Sequence, residues 1–395
     1  MSAPIFNIHD TLLLATAFQS LLFVVLVLTV KHERQISDYF LVGFFLAQVA
    51  IPFHILVNYG EVFKYIALNA SPNYYHAFEL GLWLEGPLLL WYTRSILYRD
   101  FKWSSKDYVY LLPAIGFAVY ILITFYMQDT ADKLLLLEQQ QEGAKQPSIM
   151  GKLNGLRDIL RVAFGVLCVI DVRQARRQIR DRYSNIEKID FGWLSFLVIA
   201  FTCVRGWSVI VLIVTYFAPN LSDPIFNSLG LAGNYLTFAL ITTLMFFSLQ
   251  RSTLFDGHIT EEPAHTEEDK YKIDDALTKR IEAHMATEKP YLKHLLNLEQ
   301  LANQLEMHPR TLSVTIKHHF KTNFYEFVNS YRIDEAKRVL ADPSQKHKTM
   351  IEISGDCGFN SKATYNTFFK KLVGCTPTQY RSQQLEKVAA ESSSA

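Results

Sequence analysis

Short polar and basic residues line one side of a predicted helix near residue 310. Pro309 can open this helix, because its missing N–H would be unpaired in a first turn anyway. Leu312 and Ile316 recur at helical spacing on the inward side. The outward side carries Arg310, Thr311, Ser313, Val314 and Lys317. Hydroxyl, guanidinium and ammonium groups bond to base edges and phosphates, so this face offers the chemistry of contact with duplex nucleic acid.

The residues before this helix predict the element that positions it. Residues 297–305 (NLEQLANQL) form a short helix with Leu298, Leu301, Ala302 and Leu305 at helical spacing, and residues 306–308 form a turn. The small Ala302 permits a close crossing of the two helices. The pattern is typical of a helix-turn-helix unit, whose second helix enters a groove.

A second copy follows after a long predicted helix, 324–340. Residues 350–357 predict its supporting helix, Gly358 supplies a left-handed turn, and Ser361 can cap the helix KATYNTFFKKL. Thr376 and the proline after it begin a closing helix. Two units on one rigid linker would reach successive major grooves about 34 Å apart.

Two stretches, 298–340 and 353–381, resemble the AraC/XylS family of transcription regulators. The second carries a Gly-Phe turn, an aromatic helix with Phe-Lys-Lys, and the ending Gly-x-Thr-Pro-x-x-Tyr-Arg. The resemblance implies sequence-specific promoter binding through the exposed residues of the first unit. In the second unit it implies contacts from Ser361, Lys362, Thr364, Tyr365 and Thr367. His308 stands where the family often has a capping Ser, and Thr367 where it often has Arg.

The remaining residues of these helices have simpler predicted roles. Lys370 and Lys371 are expected to contact phosphates, which adds affinity without sequence information. Leu312, Ile316, Phe359, Phe368 and Phe369 are expected in the core. The region from 271 to 387 holds 18 Lys and Arg against 13 Asp and Glu, a modest positive charge that suits nucleic acid. Use of the domain for protein contact alone stays an alternative.

The first 250 residues have a different composition. The whole chain is 50% hydrophobic and only 19% charged, and the apolar excess lies almost entirely before Gln250. A membrane-spanning helix needs about 20 apolar residues. Seven stretches reach or approach that length, which predicts an all-α protein: a seven-helix transmembrane bundle followed by a tandem helix-turn-helix domain. They are 11–30, 39–57, 76–97, 108–126, 156–172, 191–217 and 225–249.

The distribution of Lys and Arg predicts the orientation. Segments after the first, third and fifth spans hold twelve basic residues, and those after the second, fourth and sixth hold four. By the positive-inside rule the N-terminus lies outside and the C-terminus in the cytoplasm of a bacterial cytoplasmic membrane. The alternative of a soluble helical protein would have to bury several 20-residue apolar runs at once.

Ionisable and amide residues inside the predicted spans suggest a signal-binding site, because such groups are costly in lipid. A receptor pocket for a small molecule or peptide, a structural scaffold and a transport pathway all remain possible explanations. In the second explanation Glu85 and Arg205 pair to fix helix register. The candidate residues are His54, Asn58, Glu79, Glu85, Arg157, Arg161, Arg205 and Asn234.

These features predict four segments: a transmembrane sensor (1–250), an acidic linker (251–272), a DNA-binding domain (273–385) and a disordered tail (386–395). The expected function is a membrane-embedded transcription regulator. Its expected partners are promoter DNA, the lipid bilayer, RNA polymerase and a second copy of the chain. The sequence holds no HExxH, GxSxG or P-loop motif and no paired metal ligands, so no catalytic residue, metal or cofactor is expected. A regulator released by proteolysis, and a transporter or membrane enzyme with an appended control domain, are the alternatives.

Overall fold

The protein is described by a computed structural model that covers residues 6–30, 34–98, 101–141, 149–185, 192–217, 223–250 and 275–393. It divides into two compact units. The N-terminal unit comprises residues Met1–Arg173 and Phe191–Glu262, and the C-terminal unit comprises Gln174–Asp190 and Pro263–Ala395. The acidic linker expected at 251–272 lies outside the described residues.

The predicted all-α class is confirmed: within the described ranges the regular elements are helices, apart from one isolated bridge between Tyr183 and Asn297. Short 3-10 turns precede α4 and α5, and a π turn extends α5 to Tyr126. The helices that begin before residue 250 are α1 (Ile8–Val30), α2 (Ile36–Tyr59), α3 (Glu61–Ala70), α4 (Leu80–Leu97), α5 (Leu112–Ile121), α6 (Thr130–Gln141), α7 (Ile149–Arg182), α8 (Gly192–Phe217) and α9 (Asp223–Gln250).

Within the described residues, five helical segments are long and apolar enough to cross a membrane. They are Ile8–Thr29, Ile36–Tyr59, Ser105–Tyr126, Gly192–Phe217 and Asn227–Phe246. These correspond to five of the seven predicted spans. The predicted third and fifth spans are also helical, as α4 and α7, but their charged and aromatic residues lower the mean hydropathy.

Helix α7 is twice as long as the apolar run that predicted it. The expected span covered 156–172, whereas the helix has 34 residues. Its ends are rich in Arg, Gln and Leu, which favour helix without being apolar. Hydropathy therefore marks only the middle of the helix. Its residues from Gln174 onward belong to the C-terminal unit.

Close packing in the N-terminal unit depends on aromatic rings and one glycine. The rings of Phe23 and Phe45 stack with centroids 4.0 Å apart and join α1 to α2. Gly86 of α4 lies against Phe164 of α7, where a Cβ would come within 2.6 Å of the ring. Glycine at 86 thus lets the two helices approach closely.

The C-terminal unit consists of two small helical bundles that share one helix. Phe324, Phe327 and Val328 of α13 lie in the first core, and Ile333 and Leu340 lie in the second. This helix therefore joins the two bundles rigidly. The helices are α10 (Asp275–Thr287), α11 (Leu298–Gln304), α12 (Pro309–His319), α13 (Phe324–Ala341), α14 (Met350–Asp356), α15 (Lys362–Val373) and α16 (Pro377–Ser393).

Helix α10 packs on the first bundle, as the apolar stripe in its sequence predicts. Ile281 and Met285 are fully buried there, and Leu277 is packed against them. At the other end, α16 continues to Ser393 through the residues for which we expected a disordered tail. The tail expectation rested on polar composition, which does not prevent helix continuation.

Side-chain caps start the helices that build the two bundles. Asn297 accepts the N–H of Gln300 at 2.8 Å at the start of α11, and Ser361 caps α15. His308 caps α12 by accepting the N–H of Arg310 on Nδ1 at 3.2 Å. The histidine thus takes the role that a serine often has at this position.

Gly358 makes the turn between α14 and α15. Its φ of +87° lies in the left-handed region, and a Cβ there would meet the carbonyl oxygen of Tyr291 at 2.5 Å. Both the backbone conformation and the space require glycine.

Candidate functional site

Helix α12 is the second helix of the first predicted helix-turn-helix unit, the position called the recognition helix, and it presents the predicted polar face. Lys317 is exposed, and Arg310, Thr311, Ser313 and Val314 are half-buried at the surface. Leu312 and Ile316 are 0% and 1% exposed, so their predicted core role is confirmed. The helix therefore separates a packed side from a side that is open to a partner.

The second recognition helix, α15, is arranged in the same way. Ser361 accepts the backbone N–H groups of Ala363 at 3.1 Å and Thr364 at 3.4 Å. Phe359, Phe368 and Phe369 are buried, as predicted. The open side holds exposed or half-buried residues: Ser361, Lys362, Thr364, Thr367, Lys370 and Lys371.

Tyr365 corrects one expectation. It was expected to contact DNA, but it is fully buried. Its ring lies 5.4 Å from that of Phe359 and 5.7 Å from that of Phe369, and burial raises the pKa of its hydroxyl. Residues three and four positions apart share a helix face, so Tyr365 faces inward with Phe368 and Phe369. It is a core residue.

Asn366 is a candidate that the sequence pattern did not identify. It is exposed on α15 next to Thr367, on the side away from the buried rings. An asparagine amide can bond to both groups that adenine offers in the major groove. In the sequence it lies four residues from Lys362 and four from Lys370. Because residues four apart share a helix face, this spacing could have placed Asn366 on the same face as the two lysines.

Lys371 is held by an acidic residue of α13. Its ammonium lies 2.9 Å from Oε1 of Glu326, and Thr322 donates to the other oxygen at 3.2 Å. The hydrogen bond from Lys371 lowers the pKa of the Glu326 carboxyl. A phosphate at this place would compete with Glu326 for the same ammonium.

The sequence comparisons agree with this geometry. Residues 301–383 match the family model described as a helix-turn-helix domain. The C-terminal part of this chain carries that domain. Over 89 residues, 22% of this chain, it is 34% identical to a Bacillus subtilis (strain 168) protein named "Uncharacterized HTH-type transcriptional regulator YtdP". The match spans 11% of the length of that relative. No solved structure matches the chain.

The segment after α7 enters the interior of the C-terminal unit at Ser184. The Ser184 N–H donates to the carbonyl oxygen of Leu296 at 3.2 Å, and its own carbonyl accepts from Asn329 and Arg332, each at 3.3 Å. Asn329 and Arg332 are 0% and 1% exposed. Ser184 is therefore a structural part of the helix-turn-helix unit.

Arg332 forms hydrogen bonds to several chain segments near Ser184. Its guanidinium donates to the carbonyl oxygens of Tyr291 at 2.7 Å and Lys293 at 2.9 Å, and to Oδ1 of Asn329 at 3.1 Å. Burial lowers its pKa to about 10. These acceptors are backbone carbonyl oxygens and a side-chain amide oxygen, which satisfy a buried guanidinium without a counter-charge.

An acidic residue in the last turn of α7, Asp181, lies near the first recognition helix. Burial raises the pKa of Asp181, and the charge of Lys317 opposes that shift. Lys317 is among the residues expected to contact DNA. The end of α7 thus influences the electrostatics of the recognition face within this unit.

In the N-terminal unit, Glu85 is the centre of a buried ionic cluster. Its Oε1 accepts from Nε of Arg161, and its Oε2 from Nη2 of Arg205 at 2.9 Å and Nε2 of Gln48 at 2.7 Å. Glu85 is 0% exposed. The sequence placed Glu85, Arg161 and Arg205 among the candidates but missed Gln48, a polar residue within an apolar run.

A second ionic group adjoins the first through Asp158. Its Oδ1 lies 3.0 Å from Arg161 and 3.3 Å from Arg157. Arg157 also lies 3.5 Å from Glu79, whose other oxygen is 2.6 Å from Nδ1 of His76. The acids and bases of the two groups thus form one network that joins α2, α4, α7 and α8.

The other three candidates are His54, Asn58 and Asn234. The Asn58 amide lies 3.2 Å from Nδ1 of His54 and donates to the carbonyl oxygen of Tyr75 at 3.2 Å. A cavity of about 260 Å³ adjoins the network. Five candidates line it: His54, Arg157, Arg161, Arg205 and Asn234.

Proposed function

We propose that this protein is a membrane-embedded transcription regulator whose C-terminal unit binds promoter DNA sequence-specifically. The observation that carries the proposal is the pair of recognition helices, α12 and α15, on one shared helix, α13. Each has one packed side and one polar side, as a groove-reading helix needs.

The polar sides combine two kinds of contact. Arg310, Ser313, Thr364 and Asn366 offer hydrogen bonds of the kind that distinguish base pairs. Lys317, Lys362 and Lys370 offer charges for phosphates. A rigid connection between two such helices favours a site with two short elements about one helical turn apart.

The apolar helices support insertion of the N-terminal unit into a lipid bilayer. Basic residues concentrate just after α1, around the end of α4 and along the last turns of α7, which favours a cytoplasmic C-terminus in a bacterial inner membrane. That orientation gives the recognition helices access to the chromosome. The buried ionic network and its cavity are the proposed sensor for a small-molecule or peptide signal. A homodimer and RNA polymerase are the proposed protein partners.

The proposal is tested with the full-length protein in lipid nanodiscs. A library of random duplexes is incubated with the particles at physiological salt, and bound sequences are recovered. We expect enrichment of one sequence with two short conserved elements. Equal recovery of all sequences would refute sequence-specific binding. Labelling of a C-terminal cysteine in intact cells tests the orientation, and an outside location would refute it.

A second experiment distinguishes an intact regulator from one released by proteolysis. Full-length protein with a C-terminal epitope is followed in membrane and soluble fractions under conditions in which its target promoter responds. We expect the epitope to remain in the membrane fraction at full size. A soluble fragment of the size of the C-terminal unit would favour release instead.

A further inference from the structure

The cavity in the N-terminal unit is lined by two chemically different sets of side chains. One set is apolar and comes from α1, α2 and α8, among them Leu13, Ile51 and Val211. The other set is Arg157, Arg161 and Arg205. At about 260 Å³ the cavity is slightly smaller than the usual pocket for a drug-sized ligand. It suits a small amphiphile.

The charges that line the cavity are unequal. Three guanidinium groups reach the lining, and Asp158 is the one carboxylate there among the residues that the structure describes. The compensating acids, Glu79 and Glu85, are 1% and 0% exposed and are not part of the lining. A molecule in the cavity therefore meets a positive surface backed by buried negative charge.

Arg205 does not use all of its hydrogen-bond donors within the protein. A guanidinium carries five N–H groups. Nη2 of Arg205 donates to Glu85 and Gln48, and Nη1 donates to Thr237 at 3.4 Å. The Nε–H has no acceptor among the described residues, but it is buried and does not open onto the cavity. The second N–H of Nη1 therefore remains for a molecule in the cavity that Arg205 lines.

We propose that the cavity binds a small organic anion, with an oxygen-acid head group at Arg205 and Arg157 and an aliphatic tail against the apolar side chains of the lining. The guanidinium groups that line the cavity donate to the oxygens of the head group and supply the charge. The inference rests on the proposed function in one respect: the anion is the signal that the N-terminal unit senses. Binding itself is independent of DNA.

Titration calorimetry of the full-length protein in nanodiscs tests this with four probes of equal chain length: hexanoate, hexyl phosphate, 1-hexanol and hexylamine. Empty nanodiscs correct for partition into lipid. We expect saturable binding of at least one anion, at least tenfold tighter than that of the alcohol or the amine. Failure of both anions, or equal affinity for an uncharged or cationic probe, would overturn the proposal. The anion that binds identifies the carboxylate or the phosphate as the head group.

Arg205→Lys tests the guanidinium, because lysine keeps the charge beside Glu85 but presents one nitrogen in place of three. We expect at least a tenfold loss of anion affinity. Gly233→Leu tests the location, since Gly233 lines the cavity and a Cβ there meets Trp207 at an ordinary 3.4 Å. Gly116→Leu is the matched control on α5, where a Cβ meets nothing within 4 Å. Loss of affinity in Gly233→Leu and not in Gly116→Leu supports the site, and equal effects would overturn it.

Duplex binding is measured in parallel to separate the two proposals. Specific DNA binding without anion binding overturns this inference and leaves the proposed function in place. Anion binding without sequence-specific DNA binding supports the cavity and refutes the proposed regulator.

Discussion

Arg332 bonds to Ser184 from a position 148 residues later in the chain. Its Nη1 donates to the Ser184 carbonyl oxygen at 3.3 Å, and its Nη2 to the Ser184 hydroxyl at 3.4 Å. Ser184 is 1% exposed. The segment that follows α7 is thus built into the unit that carries the recognition helices.

Replacing Ser184 should loosen the C-terminal unit. Ser184→Ala removes the hydroxyl that donates to the Leu296 carbonyl and accepts from Arg332. Each lost bond is worth about 1 kcal/mol. We expect faster hydrogen exchange in peptides that cover 290–297 and 325–335, measured on the full-length protein.

Ser330→Ala is the control for this change, because its hydroxyl bonds only within α13, to the carbonyl oxygen of Phe327. Equal exchange in the two variants would contradict a structural role for Ser184.

Substitution of two neighbouring residues of α15 should affect DNA binding differently. Asn366→Ala should reduce the preference for the specific duplex by about 1–3 kcal/mol, because an exposed amide that reads a base is lost. Tyr365→Phe should leave DNA affinity unchanged, since its hydroxyl is buried without a hydrogen-bond partner among the described residues. Competition binding with specific and scrambled duplexes measures both. Weaker binding by Tyr365→Phe at unchanged stability would refute its core assignment.

Neutralising Glu326 should strengthen DNA binding without adding specificity. Glu326→Gln frees the ammonium of Lys371, so we expect tighter binding to any duplex and a salt dependence steeper by about one charge. Affinities at several salt concentrations measure this. Asp334→Asn removes the same charge from the exposed pair with Lys337 and should have less effect. A similar gain in DNA affinity in both variants would show that the gain comes from the net charge of the domain and not from the release of Lys371.

The Glu326–Lys371 pair should also give a pH dependence. The pKa of Glu326 lies below its usual 4.5, so its carboxylate stabilises the fold above that value. The stabilisation is lost as the pH falls through the folded-state pKa. The thermal unfolding temperature, measured between pH 3 and 7, should change less steeply with pH in Glu326→Gln than in the unmodified protein. An unchanged slope would contradict the pairing.

Glu85 should be essential for the stability of the N-terminal unit. Glu85→Gln leaves Arg161 and Arg205 buried without their shared counter-charge, and breaking a buried ion pair typically costs about 3–5 kcal/mol. Thermal unfolding in nanodiscs measures the loss, with Glu61→Gln at the exposed start of α3 as the control. The double variant Glu85→Gln with Arg161→Gln should recover part of the stability. Equal unfolding temperatures for Glu85→Gln and Glu61→Gln would refute a stabilising role of the cluster.

Local patterns in the sequence were sufficient for the helices of the two helix-turn-helix units and for several residues at their ends. Pro309, Gly358 and Ser361 act through their own backbone and nearest neighbours, so their positions could be predicted. The same holds for Leu312 and Ile316, because a helical period alone assigns them to the packed side. For Tyr365 the family resemblance predicted DNA contact, which is wrong. Its spacing of three and four residues from Phe368 and Phe369 correctly predicts the packed side.

Contacts between distant segments were decided only by the tertiary structure. Polar residues in apolar runs marked Glu85, Arg161 and Arg205 one at a time, but their meeting depends on how α4, α7 and α8 pack. Ser184 carried no signal at all, because a serine in a basic segment is typical of an exposed loop. Its burial follows from Arg332, whose donors require acceptors that residues near it in sequence supply only in part.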